Sequence, residues 1–348
     1  MHHRDSLIDL RSDANSLPTG AMREAMMRAT VGDDQYGEDP SVNALEARVA
    51  DLLGKQAAVF VASGTMANQV ALQVLTRPGD EVVVGGEAHV LWHEMGAAAA
   101  LAGVQVMPLG ATGLFTAEAF CAAVKPRCHF VFPPTGLVVV ENTHNRGGGV
   151  VFPRDDAVAI CAAADALGIP TLLDGARLFN AACATGLSVG ELARPFRMAW
   201  IALSKGLGCP VGSVLAGAAA DIAAARRVRR MLGGAMRQAG FLAAAGLHAL
   251  DYHVARLAED HANARALAEV LVASPAFTVD LATVQTNIVV ARMAPGAPEA
   301  ATLTERARAA GVQILALGPR VIRAVTYLGV GRQDCLAAGE VLVEASLG

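Results

Sequence analysis

The stretch "ALSKGLG", residues 202–208, closes an apolar, strand-like run from Trp200 to Leu203 with Ser204, a single Lys205 and then two glycines. A lysine at the end of a buried run is either a loop charge or an amine with a chemical task, because poor solvation disfavours its charged form. The runs around it help to separate the two readings. Apolar, β-rich segments recur at 57–62 "AAVFVA", 81–84 "EVVV", 104–107 "VQVM", 137–141 "LVVVE", 170–173 "PTLL", 198–203 "MAWIAL" and 212–216 "GSVLA". Between them 41–53, 65–76 and 155–167 carry apolar residues at three- and four-residue spacing, the period of an amphipathic helix. Alternation of this kind predicts an α/β protein built on a mainly parallel sheet.

Beyond "MLGGAMRQAG" a long helical tract, 238–272, leads into strands "FTVD" and "NIVVAR", a helix over 298–310, and the runs "VQIL" and "VIRAVTYL". That pattern predicts a smaller α+β lobe. The expected division is an N-terminal arm, 1–15, packing with the small domain, a large domain over 16–248, and the small C-terminal domain over 249–348. Such a split suits 348 residues, since single cores stop growing near roughly 250–300.

Composition excludes several classes. Hydrophobic residues make up 53% of the chain and charged ones 17%, yet no apolar run reaches the about 20 residues that span a bilayer. The opening "MHHRDSLIDLRSD" lacks the basic and apolar regions of a secretory signal, so a cytoplasmic location is expected. Six cysteines (Cys121, Cys128, Cys161, Cys183, Cys209, Cys335) form no CxxC pair and have no histidine at metal-binding spacing. They predict neither a disulfide frame nor a metal site. A net charge of -4 without a long basic run argues against nucleic acid; "RRVRRM" at 226–231 falls in a helical pattern.

Open α/β sheets bind ligands beyond the carboxyl ends of their strands. Strand 57–62 runs into Ser63-Gly64-Thr65 at a helix start, an anion site in principle and an ordinary N-cap otherwise. Strand 170–173 ends in Asp174, followed by Gly175-Ala176-Arg177, and a buried carboxylate needs a cationic partner. Strand 198–203 ends in Ser204-Lys205. A phosphate cradle, an acid and an amine on one edge are what an electron-sink cofactor needs: a lysine for a Schiff base, a carboxylate for a pyridine nitrogen, and donors for a phosphate.

The segments "DLRSD", "VGDDQYGEDPSVNALE", "FVASGTMANQVAL", "ENTHNRGGG", "LLDGARLFNAA", "LSKGLGCPVGS" and "MLGGAMRQAG" closely resemble the low-specificity L-threonine aldolases, pyridoxal-phosphate enzymes of fold type I. The likeness runs from Asp9 to about Gly246 and resumes more weakly at "QTNIVV" and "VIRAVTYLGV". It implies a homodimer with shared active sites, paired into a tetramer. It also implies roles. Lys205 matches the Schiff-base lysine and Asp174 the partner of the pyridinium nitrogen; His89 matches the imidazole stacked on the ring. Gly64 and Thr65 match the phosphate cradle, and Arg237 an arginine reaching the neighbouring subunit's phosphate. Ser12, Arg177 and Arg323 match the groups fixing the substrate carboxylate, a task suited to guanidinium geometry. His144 matches a histidine near the substrate hydroxyl, the expected proton acceptor directly or through a water. Tyr36 either lines the partner's pocket or packs locally.

Two segments depart from the family pattern. "ANSL" (Ala14–Leu17) stands where Thr-Val-Thr-Arg is usual, and "TYLG", with Tyr327 and Gly329, where Thr-His-Leu-Asp is usual. Both border the substrate side in the family. The expectation is therefore cleavage of β-hydroxy-α-amino acids to glycine and an aldehyde, with a racemase or β-eliminating lyase on the same scaffold as the alternative. A cofactor-binding protein without turnover is a third reading, opposed by the presence of Lys205, His89 and both carboxylate arginines.

Overall fold

A computed structural model describes residues 7–126 and 129–347; Cys128 lies outside the described residues. In chain order the strands are β1 (Ile8–Asp9), β2 (Ala57–Val61), β3 (Glu81–Gly85), β4 (Gln105–Leu109), β5 (Thr135–Glu141), β6 (Thr171–Gly175), β7 (Met198–Ala202) and β8 (Ser213–Gly217). They are followed by β9 (Phe277–Thr278), β10 (Ile288–Met293), β11 (Val312–Gln313), β12 (Leu315–Gly318) and β13 (Val321–Val325).

Strands β2 to β8 form one seven-stranded sheet in the order β2-β8-β7-β6-β5-β3-β4. Neighbours from β7 to β4 are parallel, whereas β8 runs antiparallel to both β2 and β7. Six of the seven strands therefore point the same way, and their carboxyl ends share one edge. Successive residues alternate between two buried faces: Ala58 and Phe60 pack with helices 40–53 and 240–252, while Val59 and Val61 pack with helices 64–75 and 219–231. Covering both faces turns the strands into near-continuous apolar runs.

The expected single tract over 238–272 is two helices, Gly240–Tyr252 and Leu257–Val272. At the break His253 is buried, and its Nδ1 lies 2.7 Å from the carbonyl of Leu207. The break thus ties the helical tract to the loop that carries Lys205.

The small lobe is an antiparallel sheet, β12-β13-β10-β9, packed under helices 257–272, 300–309 and 332–347. "VQIL" is divided rather than continuous: β11 pairs in parallel with β1, and β12 joins the small sheet. Leu10, just after β1, is buried in the small lobe's core. The helix Arg332–Leu347 is left unassigned by the sequence reading. No helix of the described residues is long and apolar enough to cross a membrane.

Candidate active site

Lys205 follows β7 in the turn Ser204–Gly208, closed by Gly208 N–H donating to Lys205 O at 2.8 Å. Ser16 Oγ donates to the same carbonyl at 2.7 Å, which brings the N-terminal segment against the lysine. Burial, and then the Arg177 guanidinium, lower the Lys205 pKa from 10.5 to about 8. A sizeable fraction of neutral amine is therefore present at neutral to mildly alkaline pH.

Asp174 is the penultimate residue of β6, the neighbouring strand, and is buried. Burial and the Glu141 carboxylate push its pKa up to about 6. Its Oδ1 accepts from Ala176 N (3.1 Å) and its Oδ2 from Asn68 Nδ2 (2.9 Å). Asn68 has a second hydrogen for Glu94 Oε1 at 2.8 Å, and its own oxygen accepts from Trp200 Nε1 at 2.8 Å. Glu94 in turn accepts from Gln69 Nε2 at 2.8 Å and meets His89 Nδ1 at 2.9 Å. Asn68, Gln69, Glu94 and Trp200 are all buried. Buried hydrogen-bond networks of this kind hold side chains in one geometry. His89 starts the short helix His89–Trp92, its N–H donating to Glu141 Oε2 at 2.7 Å. Burial works against charge on His89, but Glu94 and then Asp174 outweigh it and hold its pKa above the ordinary value.

The helix Gly64–Leu75 begins directly after β2, capped by Ser63 Oγ, which accepts from Met66 N at 3.2 Å. Among the described residues the N–H groups of Gly64 and Thr65 donate no hydrogen bond, so they remain available to an anion at the positive end of the helix. Gly64 is required by packing: a Cβ there would lie 2.6 Å from Trp200 Cη2.

Arg177 is buried and paired bidentately with Asp13, Nε and Nη2 to the two carboxylate oxygens at 2.7 and 2.8 Å. Burial opposes the charge on Asp13, yet Arg177 brings its pKa down to about 2. Asn287 Nδ2 completes the Asp13 shell at 3.1 Å. Arg323, on β13, donates from Nη1 to Asn145 Oδ1 at 2.9 Å, and Arg177 Nη1 reaches the same oxygen at 3.4 Å. Burial, with Arg177 close by, depresses Arg323 to about 10. Two guanidinium groups thus converge on one amide oxygen. Ser12 caps the turn Asp13–Asn15 at the edge of this cluster, its Oγ accepting from Ala14 N at 3.2 Å.

Of the remaining expected residues, His144 borders this cluster, and Arg237 and Tyr36 lie apart from it. His144, 1% exposed, packs behind Glu141 with its ring against Gly113. Its Nδ1 accepts from Gly147 N at 3.0 Å, which leaves the proton of a neutral ring on Nε2, so no lone pair is open to a substrate hydroxyl. Arg237 and Tyr36 are at the surface: Arg237 Nη1 pairs with Asp33 at 2.7 Å, and Tyr36 is 76% exposed.

A model of the beta-eliminating lyase family matches residues 9–294. A low-specificity L-threonine aldolase of Escherichia coli O157:H7 is 44% identical over 330 residues, 94% of this chain and 96% of that one. The chain belongs to this family. Low-specificity L-threonine aldolase 1 of Arabidopsis thaliana is 40% identical over 293 residues, covering 83% of this chain and 82% of that protein. Among solved structures, a threonine aldolase of Leishmania major superposes with a TM-score of 0.80 at 22% identity, covering 96% and 98% of the two chains.

Within the threonine aldolase family the two departures of this chain are neighbours in space. Asn15, Leu17, Tyr327 and Gly329 line one cavity of about 650 Å³. Gly329 sits at φ 102°, a conformation that disfavours the aspartate usual there. The sequence reading missed Asn68, Glu94, Glu141, Asn145 and Asp13. Glu141 carries the same signal as Asp174, a carboxylate closing an apolar strand; Asn68 lies within helix 64–75 and Glu94 in the bend after Trp92, where nothing local marks them.

Proposed function

We propose that the chain is a pyridoxal-phosphate-dependent aldolase cleaving L-threonine, L-allo-threonine and related β-hydroxy-α-amino acids to glycine and an aldehyde. The observation that carries this reading is the meeting of Lys205, Asp174 and the open N-terminus of helix 64–75 at the carboxyl ends of β7, β6 and β2. The donor set fits the cofactor: a lysine of lowered pKa for its carbonyl, a buried carboxylate for its ring nitrogen, and unpaired N–H groups of Gly64 and Thr65 for its phosphate. When bound, pyridoxal phosphate supplies an electron sink for the pair released at Cα.

The chain's own residues do the rest. Asp174, held by Asn68, would hold the ring nitrogen of the cofactor with its negative charge. His89, anchored by Glu94, packs as the imidazole face of the pocket. Arg177 and Arg323, with Ser12, take the substrate carboxylate at the point where Asn145 Oδ1 now collects both guanidinium groups. Fixing that carboxylate would restrict rotation about the bond from the amino nitrogen to Cα, and so limit which bond at Cα is broken. His144 fixes the turn at Gly147 rather than accepting the substrate's proton. Arg237 and Tyr36, exposed on one protomer, complete the neighbouring site in a homodimer that pairs into a tetramer. The enzyme works in the cytoplasm.

Purified protein with pyridoxal phosphate, incubated with L-threonine, L-allo-threonine and L-phenylserine, is expected to release glycine and the matching aldehyde. Formation of D-amino acid or pyruvate in place of aldehyde overturns the reading.

A further inference from the structure

His144 Nδ1 accepts from Gly147 N and His89 Nδ1 is tied to Glu94, so neither of these nitrogens is open to the hydroxyl proton of the substrate. His93 ends the helix His89–Trp92, its N–H donating to His89 O at 2.8 Å. The two side chains are four residues apart and so share a helix face, with ring centroids 5.4 Å apart. The His93 side chain is exposed, and among the described residues neither of its ring nitrogens makes a hydrogen bond. The charged and titratable groups whose fields reach it are His89, Arg146, Arg323 and Glu141. Arg323 belongs to the carboxylate clamp, so the His93 ring lies beside the imidazole of His89 and feels the charge of the clamp.

The two histidines are driven in opposite directions. Partial burial, then His89, Arg146 and Arg323, lower the His93 pKa below 6.5 against the pull of Glu141, while Glu94 and Asp174 raise that of His89. Adjacent titratable groups whose environments push them apart divide into acid and base.

We propose that His93 is the base that takes the β-hydroxyl proton of the bound amino acid, beside a His89 that Glu94 locks in place. The role rests on the aldolase reading. The neutral His93 lone pair takes the hydroxyl proton. The O–H pair becomes the second C–O bond of the aldehyde as Cα–Cβ breaks, and the Cα–Cβ pair is left on Cα, where the cofactor, when bound, would supply the electron sink. The proton on His93 then leaves to solvent through its exposed side.

The test uses full-length protein reconstituted with pyridoxal phosphate, in wild-type form and as His93→Asn and His93→Phe. Three quantities are measured: kcat for L-threonine cleavage across pH, exchange of the glycine α-proton with deuterated solvent, and the visible absorbance of bound cofactor. Glycine exchange needs the cofactor, Lys205 and the carboxylate clamp but no hydroxyl base. Both variants are expected to lose about 100-fold or more in kcat, the usual share of a general base, together with the acidic limb of the pH profile. Cofactor absorbance and glycine exchange should stay within about two-fold of wild type, because ground-state binding is untouched. In apoprotein, nitrogen-15 NMR of the imidazoles should show the His93 resonance, assigned by its loss in His93→Asn, titrating below 6.5. It should titrate higher in Glu94→Gln, where His89 loses its anionic partner. Variants that cleave threonine at the wild-type rate with an unshifted acidic limb overturn the proposal. So does a loss of glycine exchange as large as the loss of cleavage, which would mark general damage to the site. Wild-type protein that produces no aldehyde overturns the aldolase reading itself, and this role with it.

Discussion

Asn68 Nδ2 stands 2.9 Å from Asp174 Oδ2, with the amide orientation fixed by Trp200 Nε1 on the Asn68 oxygen. Asp174 already has a raised pKa of about 6, and the His89 charge, then the Asn68 donor to its charged form, keep it from rising further. Because the folded-state value lies above the ordinary 3.8, the group takes up a proton as pH falls through about 6, and cofactor affinity should weaken below that point. In Asn68→Leu the weakening is expected to move to higher pH. At pH 7 the loss should be about 10- to 100-fold, the equivalent of one hydrogen bond to a charged group. Fluorescence titration of apoprotein with pyridoxal phosphate at a series of pH values measures both effects.

The second prediction concerns Lys205. Its pKa falls from 10.5 to about 8 through burial and the nearby Arg177 charge. The neutral form is therefore reached at lower pH than for a surface lysine. Labelling of the apoprotein with acetic anhydride, followed by peptide mass spectrometry, should show Lys205 modified with a midpoint near 8. Lys205→Ala should remove the visible absorbance of bound cofactor and all turnover. A variant that still forms an adduct trappable by borohydride contradicts the assignment.

The large sheet was legible because buried parallel strands are short apolar runs punctuated by glycine and polar residues, and that pattern survives in one dimension. The ends of β2, β6 and β7 carried Thr65, Asp174 and Lys205 for the same reason: a polar group at the end of an apolar run is conspicuous. What stayed hidden lies one contact further out. Asn68 and Glu94 are 26 residues apart and meet only when helix 64–75 packs beside the His89–Trp92 turn. Asp13 and Arg177, 164 residues apart, pair only when the N-terminal arm is laid against Lys205. The hydrogen bond from Gly147 N to His144 Nδ1 is equally hidden, because no sequence pattern reports which ring nitrogen a backbone N–H three residues on will engage.

Gly64 gives a packing prediction. A methyl group there would lie 2.6 and 2.9 Å from two atoms of the Trp200 ring, and a buried indole has no room to yield. Gly64→Ala should push Trp200 away and break its bond to Asn68, loosening Asp174 at second hand. The expected result is a fall in thermal stability equivalent to about 1–3 kcal/mol of overpacking, with weaker cofactor binding. Scanning calorimetry of the apoprotein reads the first and the fluorescence titration the second.

Asp13 and Arg177 form a buried bidentate pair. Removing one charge strands the other, at a cost of about 3–5 kcal/mol. Since the Asp13 pKa is brought down from 3.8 to about 2, its contribution is complete above the ordinary carboxylate value and is lost as pH falls toward about 2. Asp13→Asn should therefore lower stability at neutral pH, and the gap to wild type should narrow on acidification. The freed Arg177 also loses its orientation toward the substrate carboxylate. KM for the amino acid should rise more than kcat falls, which steady-state kinetics with L-threonine will separate.

Arg237 is exposed and held by Asp33 on its own surface, where it has no contact with Asp174 or Lys205 of the same chain among the hydrogen bonds and ion pairs described. If it serves the neighbouring site, Arg237→Ala and Lys205→Ala should complement each other. Each variant alone should be nearly inactive, one lacking the phosphate contact and the other the amine. In a mixed dimer one site combines the intact Lys205 of the first chain with the intact Arg237 of the second. Random reassociation makes half the dimers mixed, and a two-fold interface gives each of those one whole site, so activity should recover to about a quarter of wild type. Unfolding and refolding the variants together, then assaying L-threonine cleavage, measures the recovery; activity no higher than the sum of the two separate variants would place Arg237 outside any shared site.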